Sequence, residues 1–325
     1  MKMKRKDIYI VVSFMTTKFT LLKQHWAKHT QSKSETSFDT DRGLPPHLGG
    51  KLIILNWITK KIVWDIDVDI PSGIFLDTEL LFVNSFKNEI LGISPNGKIE
   101  YCLRHSKFNA LHSLQKVNDN FLVTSSGLDL ILEVDSFGKE IFEWWATDRG
   151  FNQTPTGDIR EINKTNDHSK KIYPTIKQTT HINSVIPYEN GTLLATLFHQ
   201  GMLVKINKID KNFTILAGKL SNPHSVYKIS DSVLLSDTSH NQALVYDKQF
   251  NVIKIIKNEF KWVQDTILLA NGNFLIADAD NNQIVEMQEY GDSFKMVDCY
   301  NFNKEWRIFQ LLEASPNHKF FTGIL

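Results

Sequence analysis

One feature constrains this chain more than any other: it repeats. Four segments share a single grammar, in which a polar or histidine position is followed by a short apolar strand, a turn, a second apolar strand, a loop and a third strand. They begin at Leu111 (LHSLQKVNDNFLVTSSGLDLILEVD), His181 (HINSVIPYENGTLLATLFHQGMLVKIN), Pro223 (PHSVYKISDSVLLSDTSHNQALVYD) and Val263 (VQDTILLANGNFLIADADNNQIVEM). Each is a set of alternating strands with turn residues at hairpin spacing. From His181 to His224 is 43 residues and from His224 to Asp265 is 41, the length of a four-stranded propeller blade. From His112 to His181 is 69, so one unit carries an insertion, visible as the polar stretch 147–180. A long segment without strands of its own is commonly functional, and this one is placed to act as a lid.

A further unit is legible as SGIFLDTELLFVNSFKNEILGISPNGKIEYCL. The final stretch, WRIFQLLEASPNHKFFTGIL, supplies two strands, and the outer two it lacks are available in KLIILNWITKKIVWDID. Pairing both chain ends in one blade removes an exposed sheet edge. The expected fold is therefore all-β: one six-bladed β-propeller domain over 1–325, with one blade shared between the termini and five starting near Ile70, Ala110, Gln178, Asn222 and Trp262. Within residues 1–45 only the apolar run after the first lysines is assigned, as a strand. Period-2 alternation dominates and no amphipathic stretch exceeds three turns, so no helix is expected. Trp64 and Trp144, on the outermost strands, are expected to pack between blades.

Charge excludes one class of partner. Lys plus Arg (37) nearly cancels Asp plus Glu (36), which removes the basic footprint of a nucleic-acid binder. No run of 18 apolar residues is present, so no membrane-spanning helix is expected. The basic start followed by apolar residues is broken by Asp7 and Lys18 and lacks a small-residue cleavage site, so a cytoplasmic location is expected. Cys102 and Cys299, far apart, read as buried small hydrophobes rather than a disulfide or thiolate site.

Chemistry concentrates at the start of the innermost strands. His112, His181, His224, Asp265 and Gln310 occupy corresponding places in the repeat, and inner strands converge on the axis, so these five are expected to form a ring. A lone histidine is ordinarily a satisfied polar residue, but burying several imidazoles together costs desolvation that smaller polar groups would avoid. Two chemistries suit such a ring. Neutral imidazoles His112, His181 and His224 form a candidate set for a divalent metal, with Asp265 or Gln264 beside them. Alternatively one imidazole serves as nucleophile or general base.

The segment HINSV at His181, followed by GTLLATLFHQGMLVKI, resembles the arylsulfotransferase-type propellers, and so do PHSV at His224, LHSL at His112 and the outer-strand phrases IVWDID and IFEWWA. The resemblance covers roughly residues 60–290. It implies a small aromatic or phenolic substrate, His224 as the residue that takes up a sulfuryl group, and His112 and His181 as groups that hold sulfate oxygens or move protons. Asn183, His199 and Gln200 follow as substrate-binding candidates. The family's arginine falls on Phe198, and a guanidinium makes bidentate contacts with an oxyanion that phenylalanine cannot make. Arg160, in the insertion with Arg149, Asp158 and Tyr173, is the candidate replacement.

The remaining readings are structural. Asp278, Asp280, Asn281 and Asn282 look like a calcium loop but more simply make a turn, and His240 and Asn241 repeat that loop one blade earlier. His47 either tops the channel or caps a strand, while His25, His29, His105, His168 and His318 are read as surface residues. Three functions remain open: arylsulfotransferase-like group transfer, a metal-dependent lyase, hydrolase or oxygenase, and a non-catalytic propeller offering a face to a protein partner.

Overall fold

The computed structural model describes residues 7–31, 47–171 and 173–324. They form six four-stranded antiparallel sheets, whose inner strands touch one another in sequence and close a ring. These are the six expected blades. Blade one spans Pro71–Leu76 to Ile99–Arg104, blade two Leu111–Val117 to Glu140–Trp145, and blade three Ile182–Pro187 to Phe213–Ala217. Blade four spans Val226–Ile229 to Val252–Lys257, and blade five Val263–Leu268 to Ser293–Asn301. Blade six takes its inner strand from Arg307–Ala314 and its other three from Tyr9–Thr16, Lys51–Asn56 and Lys61–Asp67.

The closing blade therefore divides one-to-three, where the repeat pattern suggested two-to-two. Tyr9–Thr16 pairs with both Arg307–Ala314 and Lys51–Asn56, which confirms the strand expected in the first apolar run. The last aromatic residues form a turn, Lys319–Gly323, instead of a strand, and Phe320 and Phe321 pack into the apolar layer between blades six and one. Layers of this kind fill the gap between every pair of neighbouring blades. Trp144, fully buried, lies in the layer between blades two and three. Trp64 packs edge-on against Phe320 and donates to the Pro95 carbonyl of blade one, so both tryptophans pack between blades as expected. The cysteines do not sit as expected, since Cys102 is exposed and Cys299 half-buried.

An unexpected helix runs from Phe19 to Gln31. Its anchor is remote in sequence: Glu305 accepts hydrogen bonds from the Thr20 amide (3.0 Å) and hydroxyl (2.6 Å), satisfying amide donors that a helix N-terminus leaves open. Phe19 and Leu22 are buried against Leu48 and Ile70, so the helix lies over one end of the ring. Among the described residues no helix is long and apolar enough to cross a membrane.

The inner strands share a device that aims side chains down the axis. Ile70, Ala110, His181 and Asn222 stand at equivalent places with φ of 47°, 48°, 49° and 51°, a left-handed conformation that is rare for such residues. Register shifts follow in blades one, two, three and five, and a bulge of this kind re-aims the residues beside it. Gly73 sits where two inner strands crowd together: a Cβ there would come within 2.6 Å of the His112 carbonyl oxygen.

Candidate functional site

The pairing register revises which residues are equivalent. His112 and His224 share a level with Asn183, Gln264 and Phe309, while Asp265 and Gln310 belong one residue further down with Ser113, Ser184 and Ser225. His181 is two residues above Asn183, at the left-handed position matched by Ala110 and Asn222. The five residues expected as one ring thus occupy three levels.

Three imidazoles nevertheless meet. His112 and His181 stand edge to face with ring centroids 4.6 Å apart, and Phe198 lies between His181 (5.0 Å) and His224 (5.3 Å). Each ring is tethered through Nδ1. His112 Nδ1–H donates to the Ala110 carbonyl at 2.8 Å, and His224 Nδ1–H to the Asn222 carbonyl at 3.0 Å. His181 Nδ1–H donates to Gln178 Oε1 at 2.5 Å, an amide oriented by its own bond to the Tyr173 carbonyl. An imidazole that donates from Nδ1 keeps a lone pair on Nε2. Among the described residues none of the three Nε2 atoms has a hydrogen-bonding partner.

Electrostatics hold these rings neutral. Burial lowers His112 to about 4 against the pull of the Ala110 carbonyl. Burial likewise lowers His224 to about 3, with His112 and Arg307 adding to the effect. His181 is driven well below its usual value by burial and by the imidazoles of His112, His199 and His224. The imidazoles are gathered, but among the described residues no three His, Cys, Asp or Glu side chains are grouped so as to hold a metal ion. The three-histidine set expected for a metal is thus not grouped as ligands would be, and Phe198 lies between His181 and His224.

Above the imidazoles lies a chamber of 750 Å³, in the range of pockets that enclose small molecules. Its walls are largely aromatic, with Phe86, Phe198, Trp262 and Phe309 around the imidazoles. Its roof comes from the helix, through Phe19, Leu22 and His25, and from the insertion, through Pro155 and the run from Tyr173 to Ile176. The expected lid thus covers the site. Arg307 lines the chamber too, its guanidinium 5.5 Å from the Trp262 ring and paired with Asp280.

The other expected site residues divide. His199 lines the chamber, and its Nε2–H donates to the Thr175 carbonyl at 2.9 Å. Asn183 and Asp265 line the axis below the chamber. Gln200 donates to the Thr179 carbonyl and fixes the loop. Arg160 does not enter the chamber; it is buried in an ion pair with Asp129. Burial alone would raise the Asp129 carboxyl, but Arg160 and the amides of Thr179, Thr180 and His181 outweigh it and hold the group below its usual value. That carboxylate fixes the backbone that presents His181.

Several readings of isolated residues change. His168 is buried, bonding the Tyr173 hydroxyl through Nδ1 and the Asn163 carbonyl through Nε2, and His25 faces the chamber. The His29 side chain lies outside the described part. His47 takes a left-handed turn at φ 64° and is exposed. Asp278 binds the Lys261 and Trp262 amides together with the Asn281 and Gln283 side chains, the turn expected of that loop. Sequence reasoning missed Phe86, Trp262, Arg307 and Phe309, although Trp262 directly precedes an inner strand, as His181 does, and Arg307 is the first residue of one.

No protein-family model and no curated protein matches the sequence. Among solved structures the chain is similar to a protein of unknown function from Bacteroides caccae, at TM-score 0.60 and 12% identity over 95% of this chain and 99% of that one. It is similar also to a chain of the nidogen/laminin complex, at TM-score 0.61 and 12% identity over 95% and 98%. A virginiamycin B lyase from Staphylococcus aureus, solved with quinupristin in a catalytically inactive histidine-to-alanine variant, gives TM-score 0.52 and 10% identity over 78% and 82%. At these identities the likeness concerns the fold alone.

Proposed function

We propose that this chain is an enzyme acting on a small aromatic or phenolic molecule, with the chamber as its active site and His224 as its reactive base. One observation supports this above the rest. Three uncharged imidazoles each spend Nδ1–H on a fixed acceptor and leave the Nε2 lone pair without a partner among the described residues. A structural histidine in the same molecule behaves otherwise: His168 uses both nitrogens.

The reaction we favour is arylsulfotransferase-like. The His224 Nε2 lone pair attacks the sulfur of an aryl sulfate, and the sulfur–oxygen bond breaks to release a phenoxide. A second phenol then attacks that sulfur, the nitrogen–sulfur bond breaks, and the phenolic proton goes to Nε2 of His112 or His181. Neutral Nε2 atoms accept hydrogen bonds and do not hold sulfate oxygens, so the anionic charge falls to Arg307, beside Trp262. A second reading, proton abstraction in a lyase, draws on the same neutral bases and on the virginiamycin B lyase made inactive by loss of a histidine.

Incubation with phenyl sulfate and a second phenol tests the choice. Transfer of the sulfuryl group, reduced roughly 10²–10⁴-fold in His224→Ala, supports the first reading. Elimination of the carboxylate from a β-acyloxy carbonyl ester, with no acceptor present, supports the second, and a folded wild-type protein that turns over neither ester removes both.

A further inference from the structure

Directly below the imidazoles the axis contains a second cavity, of 30 Å³, room for about one water molecule. His112 and His224 line both this cavity and the chamber. Two polar groups here have no part in the chemistry described so far. Asn183 is 5% exposed, and while its Nδ2 donates to the Pro223 carbonyl at 3.2 Å, its Oδ1 has no partner among the described residues. Asp265 is 1% exposed, and no lysine or arginine touches its carboxyl among the described residues.

Isolated carboxylates are rarely buried, because the charge loses its hydration without an opposite charge to replace it. Asp265 is held by the Leu311 amide of the closing strand (2.7 Å), the Tyr227 hydroxyl of blade four (3.2 Å) and the Thr266 amide of its own strand (2.9 Å). The titratable groups around the cavity are Tyr227, His112 and His224. Burial raises Asp265 to about 6 against those hydrogen bonds, and burial together with Asp265 raises the Tyr227 hydroxyl well above its usual value.

We propose that this cavity is a water site and that Asp265 is a positioning residue acting through the water, receiving the proton that the imidazoles remove from substrate. The inference rests on the histidine chemistry proposed above. A proton leaves the phenolic oxygen for Nε2, passes from the imidazolium to the water, and the water releases one of its own protons to the Asp265 carboxylate. The imidazole is neutral again, and after the sulfated product leaves, the reverse path releases the proton from Asp265 to solvent while the phenoxide takes its proton from water. Asn183 Oδ1 accepts from the water and fixes its place. The direction follows from basicity: a site titrating at about 6 holds the proton about a hundredfold better than one titrating at about 4.

Infrared spectroscopy of the substrate-free protein, titrated between about pH 4 and 8, tests this without recourse to turnover. A protonated-carboxyl band should titrate near the raised value, vanish in Asp265→Asn, and move its midpoint in His224→Gln. Asn183→Leu, which fills the cavity, should abolish that response to His224, and it serves also if Asp265→Asn does not fold. A band at the ordinary carboxylate position, or one indifferent to His224 in the wild-type background, overturns the proposal. With substrate, kcat/KM should fall below about pH 6 in the wild type, and Asp265→Asn should lose that limb while KM stays within about twofold. Coupling in the spectrum without transferase activity would remove the reaction and keep the relay. Transferase activity with an unchanged pH profile in Asp265→Asn would do the reverse.

Discussion

At the scale of single residues, the imidazoles combine proximity with neutrality. Three of them share a floor that stays uncharged at rest, because burial lowers His112 to about 4 and His224 to about 3. Both rings should therefore remain unprotonated at about pH 5, and nuclear magnetic resonance of the ring carbons would show this. Protonation of either near the ordinary 6.5 would mean that the floor is open to bulk water. Arg160 makes a different prediction. It lies outside the chamber and neutralises Asp129, which in turn holds the amides of residues 179–181. Removing one partner of a buried pair leaves an uncompensated charge, so Arg160→Ala should cost about 3–5 kcal/mol in urea unfolding. Lys in its place should recover only part, since it lacks the second donor that reaches the Gly127 carbonyl at 2.5 Å.

Among the elements, those that could be read from the sequence were the ones whose signals are local. Blade boundaries at Ile70, Ala110 and Asn222 were legible because alternation and turn residues mark them within a few positions. Register was not: counting from histidine to histidine put His181 level with His224, whereas the residues followed by serine, His112, Asn183 and His224, share the level and His181 stands two residues above it. A histidine is a poor marker of register here because one occupies the left-handed position and two the level below it. The helix from Phe19 to Gln31 escaped for a related reason, as Glu305, which satisfies its first turn, lies 285 residues away in sequence. Glu305→Ala should accordingly lower the stability of the helix start and speed hydrogen exchange at Thr20 and the amides after it. Unchanged exchange there would show that Phe19 and Leu22 hold the helix unaided. Arg307 went unnoticed because nothing beside it repeats, yet the closing strand brings it to the chamber as surely as any histidine.

For the molecule as a whole, the titrating groups on the axis set how stability responds to pH. An imidazole with a lowered folded value binds protons more readily in the unfolded chain, so its contribution is complete above 6.5 and is lost toward 4 for His112 and toward 3 for His224. Asp265 acts in the opposite sense: raised from 3.8 to about 6, it favours the fold while protonated, and that contribution fades as pH rises through 6. The imidazole shifts are the larger, at about 1.4 kcal/mol per unit, so the urea midpoint should fall between pH 6.5 and 4, with a shallower slope in His224→Gln. A midpoint that rises over that interval would contradict the assignment. The closing blade carries a further consequence, for biosynthesis. Tyr9–Thr16 leaves the ribosome long before Arg307–Ala314, one of its two neighbours. Until translation reaches that stretch the roof helix has no Glu305 to start it and the floor has no Phe309, so the chamber cannot assemble before the closing strand has been made.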